Sequence, residues 1–263
     1  KKVLPELNDD FAQDISDVVI YFQYAEKMAA GAVPYRDFLI EYPILVVPVI
    51  YLPRIVSGNF VLYLAAFILE MLVFNAVLVW SLSRWVGNRS GLGAVPGCLT
   101  WYTAFLLALS PVAFYRFDLA PAALAFAAFC AWFSTRPIQG GLYAGLGVLV
   151  KIFPAVLVLP AAMWESRTKG LLRTRGLRAF LLLVVPAAVL WYAAAGNGVR
   201  QLIEYHAGRG IELGSTYAAG AIAAAAIWRV EIGHQFDHKC MNLVSPWSCL
   251  LYTSPSPRDR TRS

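Results

Sequence analysis

Seven apolar stretches follow one another along most of this chain, separated by short polar segments. They occupy Pro43–Val56, Phe60–Ser83, Ala94–Ala113, Leu119–Phe133, Gly140–Trp164, Leu177–Ala195 and Tyr217–Val230. Three of them comfortably reach the roughly twenty residues that a helix needs to cross a bilayer. Of all 263 residues, 59% are hydrophobic and 14% are charged, and a soluble domain could not bury that much apolar surface. The sequence therefore predicts an all-α polytopic membrane protein with six or seven apolar helices.

Charged residues are distributed unevenly between the start of the chain and the rest. Residues 1–41 contain eight of the sixteen acidic residues and four basic residues, a net charge of −4, against +6 for the whole chain. Most later basic residues lie in short gaps between apolar stretches, which is typical of cytoplasmic loops. Five of them fall within residues 165–178, the best candidate for such a loop. No basic stripe is interleaved with aromatic residues, so no nucleic-acid partner is expected.

Two counts of the membrane crossings stay open at this point. Counting every stretch as one crossing places the acidic segment 1–41 outside, but it also places Arg84 and Arg89 there, against the charge rule. A helix broken at Lys151–Pro154 would remove that conflict and would move Tyr115–Asp118 outside too. Both counts predict that the acidic segment faces away from the cytoplasm.

Three regions are predicted along the chain. Residues 1–42 form an extracytoplasmic acidic loop with an amphipathic helix on the membrane surface, and residues 43–239 form a transmembrane bundle. Apolar residues recur at intervals of three and four along the first helix, at Ile15, Val18, Val19, Phe22 and Ala25. Residues 240–263 are interpreted as a non-native tail, because the final SCLLYTSPSPRDRTRS resembles translated sequencing-adapter read-through. The alternative for those residues is a genuine Ser/Pro/Arg-rich cytoplasmic tail.

The first loop carries ionisable residues beside apolar stretches, where they are costly and mark candidate functional sites. Asp17 and Tyr21 lie four residues apart, on one face of the predicted helix. The candidates in this loop are Asp17, Tyr21, Tyr35, Arg36, Asp37 and Glu41. The alternative is a solvated loop in which Arg36 pairs locally with Asp37 or Glu41.

Three further polar clusters lie deeper in the chain. Arg116 and Asp118 sit at a helix corner, where the alternative is a buried ion pair closing a hairpin. Lys151 lies within an apolar stretch and must snorkel, pair, or face an aqueous cavity that holds an anion. His206 and Arg209 follow the sixth stretch and suit phosphate binding, against the alternative of a solvated loop. No metal-binding site is predicted.

These motifs and their order across Ser16–Thr216 carry a family resemblance. They are Asp17 with Tyr21 and Ala25, then Gly31-x2-Pro34-Tyr35-Arg36-Asp37, Glu41-Tyr42-Pro43, Arg116-Phe117-Asp118-x2-Pro121, Gly145-x-Gly147-x3-Lys151-x2-Pro154 and Tyr205-His206-x2-Arg209-Gly210-x-Glu212. The chain thereby resembles the membrane-embedded GT-C glycosyltransferases, specifically the polyprenol-phosphate-mannose-dependent α-mannosyltransferase-like proteins of glycosyltransferase family 87. Ile44 departs from the second proline that is common in the family. The chain is expected to be the N-terminal part of a longer enzyme.

The resemblance implies a hexosyltransferase of the bacterial plasma membrane with an extracytoplasmic active site. It would move a hexose, mannose in the family, from a polyprenyl-phosphate donor to a hydroxyl of a lipid- or polysaccharide-linked acceptor, with inversion. Asp17 is the first candidate for the general base and Asp37 the second. Arg116, Lys151 and Arg209 are the candidates for stabilising the departing phosphate. Tyr21, Tyr35, Arg36, Glu41, Asp118 and His206 complete the predicted substrate-binding set.

The expected partners are the lipid-linked sugar donor, a glycolipid or glycan acceptor, and membrane lipids. No cofactor is predicted, while a divalent metal ion stays open. The alternative function is a non-enzymatic polytopic protein, such as a lipid-linked sugar flippase or a secondary transporter. That alternative predicts inverted repeats and charges along a path across the bilayer. The sequence contains no such repeat, and its acidic residues concentrate on one side, so the enzyme is favoured.

Overall fold

The described residues of this chain are mostly helical, which confirms the expected dominance of α-helix. A computed structural model describes residues 17–166, 170, 174–207, 210–213, 215–237 and 240–244. The helices are α1 (Val18–Ala29), α2 (Val46–Val56), α3 (Phe60–Ser90), α4 (Val95–Ala108), α5 (Ser110–Ala113), α6 (Leu119–Phe133), α7 (Pro137–Val150), α8 (Val158–Glu165), α9 (Arg175–Ala195), α10 (Asn197–Ala207) and α11 (Thr216–Trp228). The chain divides into two units, Lys1–Gly196 and Asn197–Ser263.

Two of the described helices, α3 and α9, are long and apolar enough to cross a membrane. Helix α3 begins where the side chain of Asn59 accepts hydrogen bonds from the N–H groups of Val61 and Leu62, at 2.9 and 3.3 Å. These bonds satisfy donors that the first turn of a helix leaves without partners. Other apolar helical segments of the described residues, counted together with adjoining 3₁₀ turns, are 10 to 17 residues long.

Two of the apolar stretches are interrupted, so the prediction that three reach a full crossing length is wrong. The stretch Ala94–Ala113 is broken at Leu109, between α4 and α5. The stretch Gly140–Trp164 is broken after α7, where Lys151 is extended with φ −154° and ψ 139°. A short 3₁₀ helix, Phe153–Leu157, then leads into α8. Pro154 explains the second break, because proline lacks an N–H group and its ring would collide with the carbonyl of residue 150 in a continuous helix.

Helices α6, α7 and α9 pack closely in the first unit because glycines on α7 remove side chains from the contact. A Cβ atom on Gly141 would overlap the carbonyl oxygen of Gly176 in α9. On Gly145 it would lie 2.9 Å from the side chain of Leu183, which is too close for ordinary contact. Small residues of this kind let two helix backbones approach each other.

Long-range contacts define two ends of the first unit. At one end, Leu45 donates its N–H to the carbonyl of Leu149 at 2.8 Å, and Tyr35 meets Trp191 of α9 with ring centroids 5.0 Å apart. We call this the site end. At the other end, Arg89 donates to the carbonyl of Phe133, and Phe133 meets Trp164 at 6.1 Å. The carboxylate of Glu165 there accepts the N–H groups that begin α9, and we call this the basic end.

The second unit contains α10, α11 and a small antiparallel sheet that the sequence did not predict. Its strands are β1 (Ile211–Glu212), β2 (Gly233–Asp237) and β3 (Cys240–Val244), in the order β1-β3-β2. Leu243 pairs with both Ile211 and His234. Strand β3 belongs to the segment interpreted above as a non-native tail, and residues 245–263 of that segment lie outside the described residues.

Candidate functional site

Four predicted site residues form two ion pairs at the site end of the first unit. Arg116 Nε lies 3.2 Å from Asp17 Oδ2, and the ammonium group of Lys151 contacts Asp118 Oδ1. The four come from three separate places in the chain: the start of α1, the corner before α6, and the break after α7. The corner is thereby tied to both of the other segments. All four side chains stay partly exposed, so a ligand can reach them.

Helical spacing positions Asp17 beside a second polar group. Asp17 immediately precedes α1, and the Tyr21 hydroxyl one turn later donates to Asp17 Oδ2 at 3.3 Å. Tyr21 is almost completely buried, and this burial raises the pKa of its hydroxyl, which therefore stays protonated as a donor. The predicted pairing of Asp17 and Tyr21 on one helical face is confirmed.

Burial shifts the proton affinity of Asp17 in the direction that a base requires. Burial raises the pKa of this carboxyl above its ordinary value, although the nearby Arg116 and the Tyr21 hydroxyl act in the opposite direction. A carboxylate whose ionised form is less well solvated binds a proton more readily. Asp17 is therefore a stronger base than an exposed aspartate.

Lys151 is held against two aromatic rings as well as against Asp118. Its ammonium nitrogen lies 5.2 Å from the ring centre of Phe117 and 5.8 Å from that of Tyr42. Cations at such distances are attracted to the negative face of a ring. Lys151 therefore pairs with a carboxylate, which is one of the three outcomes that the sequence allowed. Its extended backbone places it at the end of the bundle and outside any regular helix.

Tyr42 and Phe117 belong to the site, although sequence reasoning did not select them as site residues. Their rings lie 4.7 Å apart at nearly right angles, and Tyr21 packs on both, 5.4 Å from Phe117 and 6.2 Å from Tyr42. This aromatic cluster contacts both ion pairs, through the Tyr21 hydroxyl at Asp17 and through the rings of Tyr42 and Phe117 at Lys151. A signal was present in the sequence, because each ring directly follows a selected charged residue, Glu41 or Arg116.

Glu41 and Tyr35 brace the loop between α1 and α2. Glu41 is 9% exposed and accepts a hydrogen bond from the Tyr24 hydroxyl at 3.3 Å. Its negative charge also acts on Asp17 and raises the pKa of that carboxyl. The Tyr35 hydroxyl donates to the carbonyl of Tyr42 at 2.7 Å, and Tyr35 has a left-handed backbone with φ 64°. Glu41 thus acts on the site through its charge, while Tyr35 holds the backbone of the loop at Tyr42.

Arg36 and Asp37 form the local pair that was the plainer alternative for this loop. Two hydrogen bonds of 2.9 Å join the guanidinium of Arg36 to the carboxylate of Asp37. The same carboxylate accepts the N–H of Val33 at 2.7 Å, and together these bonds lower its pKa to about 2. Both side chains are exposed. A carboxylate with so low a proton affinity is poorly suited to act as a general base.

The two remaining predicted residues, His206 and Arg209, belong to the second unit of the chain. His206 is an exposed residue of α10 in the second unit, with its ring 5.4 Å from that of Tyr205. Arg209 lies outside the described residues. Their roles in substrate binding stay predictions.

The site offers a carboxylate that can act as a base, Asp17, and two cations, Arg116 and Lys151. Aromatic rings pack beside these groups. Among the described residues, no three His, Cys, Asp or Glu side chains lie together as metal ligands. No family model, curated protein or solved structure matches this chain.

Proposed function

We propose that this chain is a membrane-embedded glycosyltransferase of the GT-C type. It transfers a hexose, mannose by the family resemblance, from a polyprenyl-phosphate donor to a hydroxyl of a lipid- or polysaccharide-linked acceptor, with inversion. The observation that carries the proposal is the convergence of Asp17, Arg116, Asp118 and Lys151 at one end of the first unit. These four motif residues come from three separate segments of the chain, and their meeting at one place is what a shared site requires.

Exposed apolar surface supports membrane insertion of the whole bundle. Only 17% of the most apolar window of α3 is buried within the structure, and none of that of α9 is. On α9, Leu182 and Leu190 are 75% and 70% exposed. Helices at the core of a soluble protein would instead be covered, and surfaces of this size mark contact with lipid or partners. We infer that the shorter apolar helices cross the bilayer together with α3 and α9.

The distribution of cations supports an extracytoplasmic site. At the site end, Arg36, Arg54, Arg116 and Lys151 each pair with a carboxylate. The basic end carries more cations than acids: its described cations are Arg84, Arg89, Arg136, Arg175 and Arg178, and Glu165 is its described acid. The sequence adds Arg167, Lys169 and Arg173 next to it. Uncompensated cations of this kind are retained in the cytoplasm.

The proposed reaction uses Asp17 as the general base and the two cations as electrostatic stabilisers. The acceptor hydroxyl passes its proton to Asp17 while its oxygen bonds to the anomeric carbon from the face opposite the phosphate. The bond from that carbon to the phosphate oxygen breaks, and its electron pair leaves with the polyprenyl phosphate. Arg116 and Lys151 then stabilise the charge that grows on this leaving group.

The ion pair between Asp17 and Arg116 couples these two roles. When Asp17 accepts the proton, its carboxyl becomes neutral and no longer compensates the guanidinium charge. That charge becomes available at the step in which the phosphate gains a second negative charge. The site thus stabilises the transition state more than the substrate, which is the condition for an increase in rate.

The test is sugar transfer by the full-length protein in membranes supplied with radiolabelled polyprenyl-phosphate mannose. We expect label in a membrane acceptor, and we expect Asp17→Asn to lower the rate on the order of 10²–10⁴-fold. Asp37→Asn separates the two candidate bases and should retain most of the rate, because Asp37 is engaged by Arg36 and Val33. Normal transfer by both variants would rule out the base assignment. Movement of the lipid across the membrane without transfer would favour the flippase alternative.

A further inference from the structure

A groove with one cationic wall runs between the last turns of α3 and the start of α4, at the basic end. It is a shallow, open groove with a volume of about 420 Å³. Its polar lining is Ser83, Arg84 and Asn88, and its apolar lining includes Leu92, Val95 and Pro96. Gly87 makes room for it, because a Cβ atom there would lie 3.3 Å from Leu92 and 3.6 Å from Val95. The groove therefore offers a cation and an apolar wall side by side.

Arg84 is the charged group of this groove. Its side chain is exposed, and its guanidinium lies 5.1 Å from the ring centre of Trp80, which is itself 60% exposed. No carboxylate among the described residues forms an ion pair with it. One turn further on, Arg89 lies 5.5 Å from the ring of Trp85 and donates to the carbonyl of Phe133. Paired tryptophan and arginine side chains are typical of the level at which lipid headgroups meet the hydrocarbon core.

We propose that this groove binds an anionic phospholipid of the cytoplasmic leaflet. The lipid phosphate lies at Arg84 with the amide of Asn88 beside it, and the first acyl carbons lie along Leu92 and Val95. Charge complementarity favours this occupant. The cytoplasmic leaflet supplies anionic headgroups, and the basic end of the molecule carries more cations than acids. The proposal uses the membrane placement argued above, but it does not depend on sugar transfer.

The experiment measures lipid binding to the full-length protein in detergent by native mass spectrometry. Phosphatidylglycerol is the anionic probe, and phosphatidylcholine is the neutral probe. We expect tighter binding of phosphatidylglycerol, and we expect Arg84→Gln to weaken it about five-fold, which is the worth of one cation at an anionic surface. Arg136→Gln is the matched control, because it removes one exposed cation at the same end of the bundle but outside the groove.

A second variant tests the apolar wall without a change in charge. Val95→Phe fills the groove and should also weaken binding of phosphatidylglycerol, with an unchanged thermal unfolding temperature as the check on folding. Equal losses in Arg84→Gln and Arg136→Gln would mean general attraction to the charged end and would overturn the proposal. So would equal binding of the two lipids, or displacement of phosphatidylglycerol by inorganic phosphate, which would identify a free-anion site. Lipid binding is measured independently of sugar transfer. A failure of the lipid proposal therefore leaves the transferase proposal intact, and a failure of the transferase proposal leaves the lipid proposal intact.

Discussion

At the site end, specific neighbours set the pKa of each carboxyl group. Asp17 illustrates this, because burial raises its pKa while Arg116 and Tyr21 lower it. Asp37 lies in the same loop, yet it is exposed and its pKa is lowered to about 2. Two aspartates twenty residues apart therefore have pKa values shifted in opposite directions, because desolvation raises that of Asp17 whereas hydrogen bonds from Arg36 and Val33 lower that of Asp37.

The opposing influences on Asp17 predict a pH effect. A general base acts only when it is ionised, so transfer should fall as the pH drops through the Asp17 pKa. Arg116→Gln removes an influence that lowers this pKa, so the acidic limb of the pH–rate profile should move to higher pH. Arg54→Gln is the control, because Arg54 pairs with Glu26 and does not act on Asp17. An acidic limb that stays in place, or moves equally in both variants, would contradict the assignment.

Lys151 gives a second prediction at this scale. Lys151→Met keeps most of the side-chain volume and removes the charge, so transfer should fall on the order of 10²–10³-fold through lost stabilisation of the leaving group. Lys27→Met is matched to it, because Lys27 is an exposed lysine that also lies over a ring, 5.3 Å from the centre of Phe38. Undiminished transfer by Lys151→Met in the same labelled-sugar assay would remove Lys151 from the mechanism.

At the scale of elements, the break after α7 and the glycines within α7 have separate roles. The break turns the chain so that Lys151 leaves the helix and reaches Asp118. The glycines bring α7 against α9, whose far end carries Trp191 to Tyr35. Sequence reasoning selected Gly145 and Gly147 as motif positions, whereas Gly141 makes the closest backbone approach.

Helix packing predicts a difference between two glycine substitutions. Gly141→Ala should destabilise the protein by about 1–3 kcal/mol, because its methyl group would overlap the backbone of α9 and force the helices apart. Gly97→Ala in α4 meets open space and should stabilise by about 0.4–1 kcal/mol through reduced freedom of the unfolded chain. Thermal unfolding in detergent compares the two. Equal shifts in both variants would show that α7 and α9 are not in close backbone contact.

For the whole molecule, the two ends of the first unit differ in how far carboxylates compensate their cations. The site end pairs most of its cations with carboxylates, and the basic end carries cations in excess. Under the proposed membrane placement, this difference favours one of the two membrane counts left open by the sequence. With the chain broken at Lys151, Arg84 and Arg89 fall at the basic end, and Tyr115–Asp118 falls at the site end. The positive-inside rule then holds without exception for α3.

Labelling of single cysteines tests this orientation. In a background without the native cysteines, Ala30→Cys at the site end should react with a membrane-impermeant maleimide added outside intact cells. Ser134→Cys, in the turn between α6 and α7, should react only after the membrane is opened, because the proposed orientation puts the basic end in the cytoplasm. Both positions are exposed, so accessibility within the protein is comparable. Labelling of both from outside would refute a membrane-crossing bundle with this orientation.

Helix positions could be predicted from the sequence because they depend on local apolar patterning. The stretch Leu119–Phe133 coincides with α6, and α9 differs from its predicted stretch by two residues at one end. Interruptions were harder to predict, because a proline within an apolar stretch is compatible with a kink or with a full break. Strand β1 escaped prediction because it pairs with residues far along the chain, whereas β2 and β3 form a local hairpin whose second strand lies in the segment interpreted as a non-native tail.

The sequence by itself determined the class of fold and most of the residues of the candidate site, because uncompensated charges beside apolar stretches are costly wherever they occur. The tertiary structure alone decided which charged residues of the site pair with each other. Arg116 pairs with Asp17, and Lys151 pairs with Asp118, 33 residues away, against the rings of Tyr42 and Phe117. Such pairs arise from the packing of distant segments, and no local pattern encodes which charge meets which. The same packing distinguished Asp17 from Asp37, because it set Asp17 against Arg116 and Tyr21, while Asp37 is held by Arg36 and Val33 within its own loop.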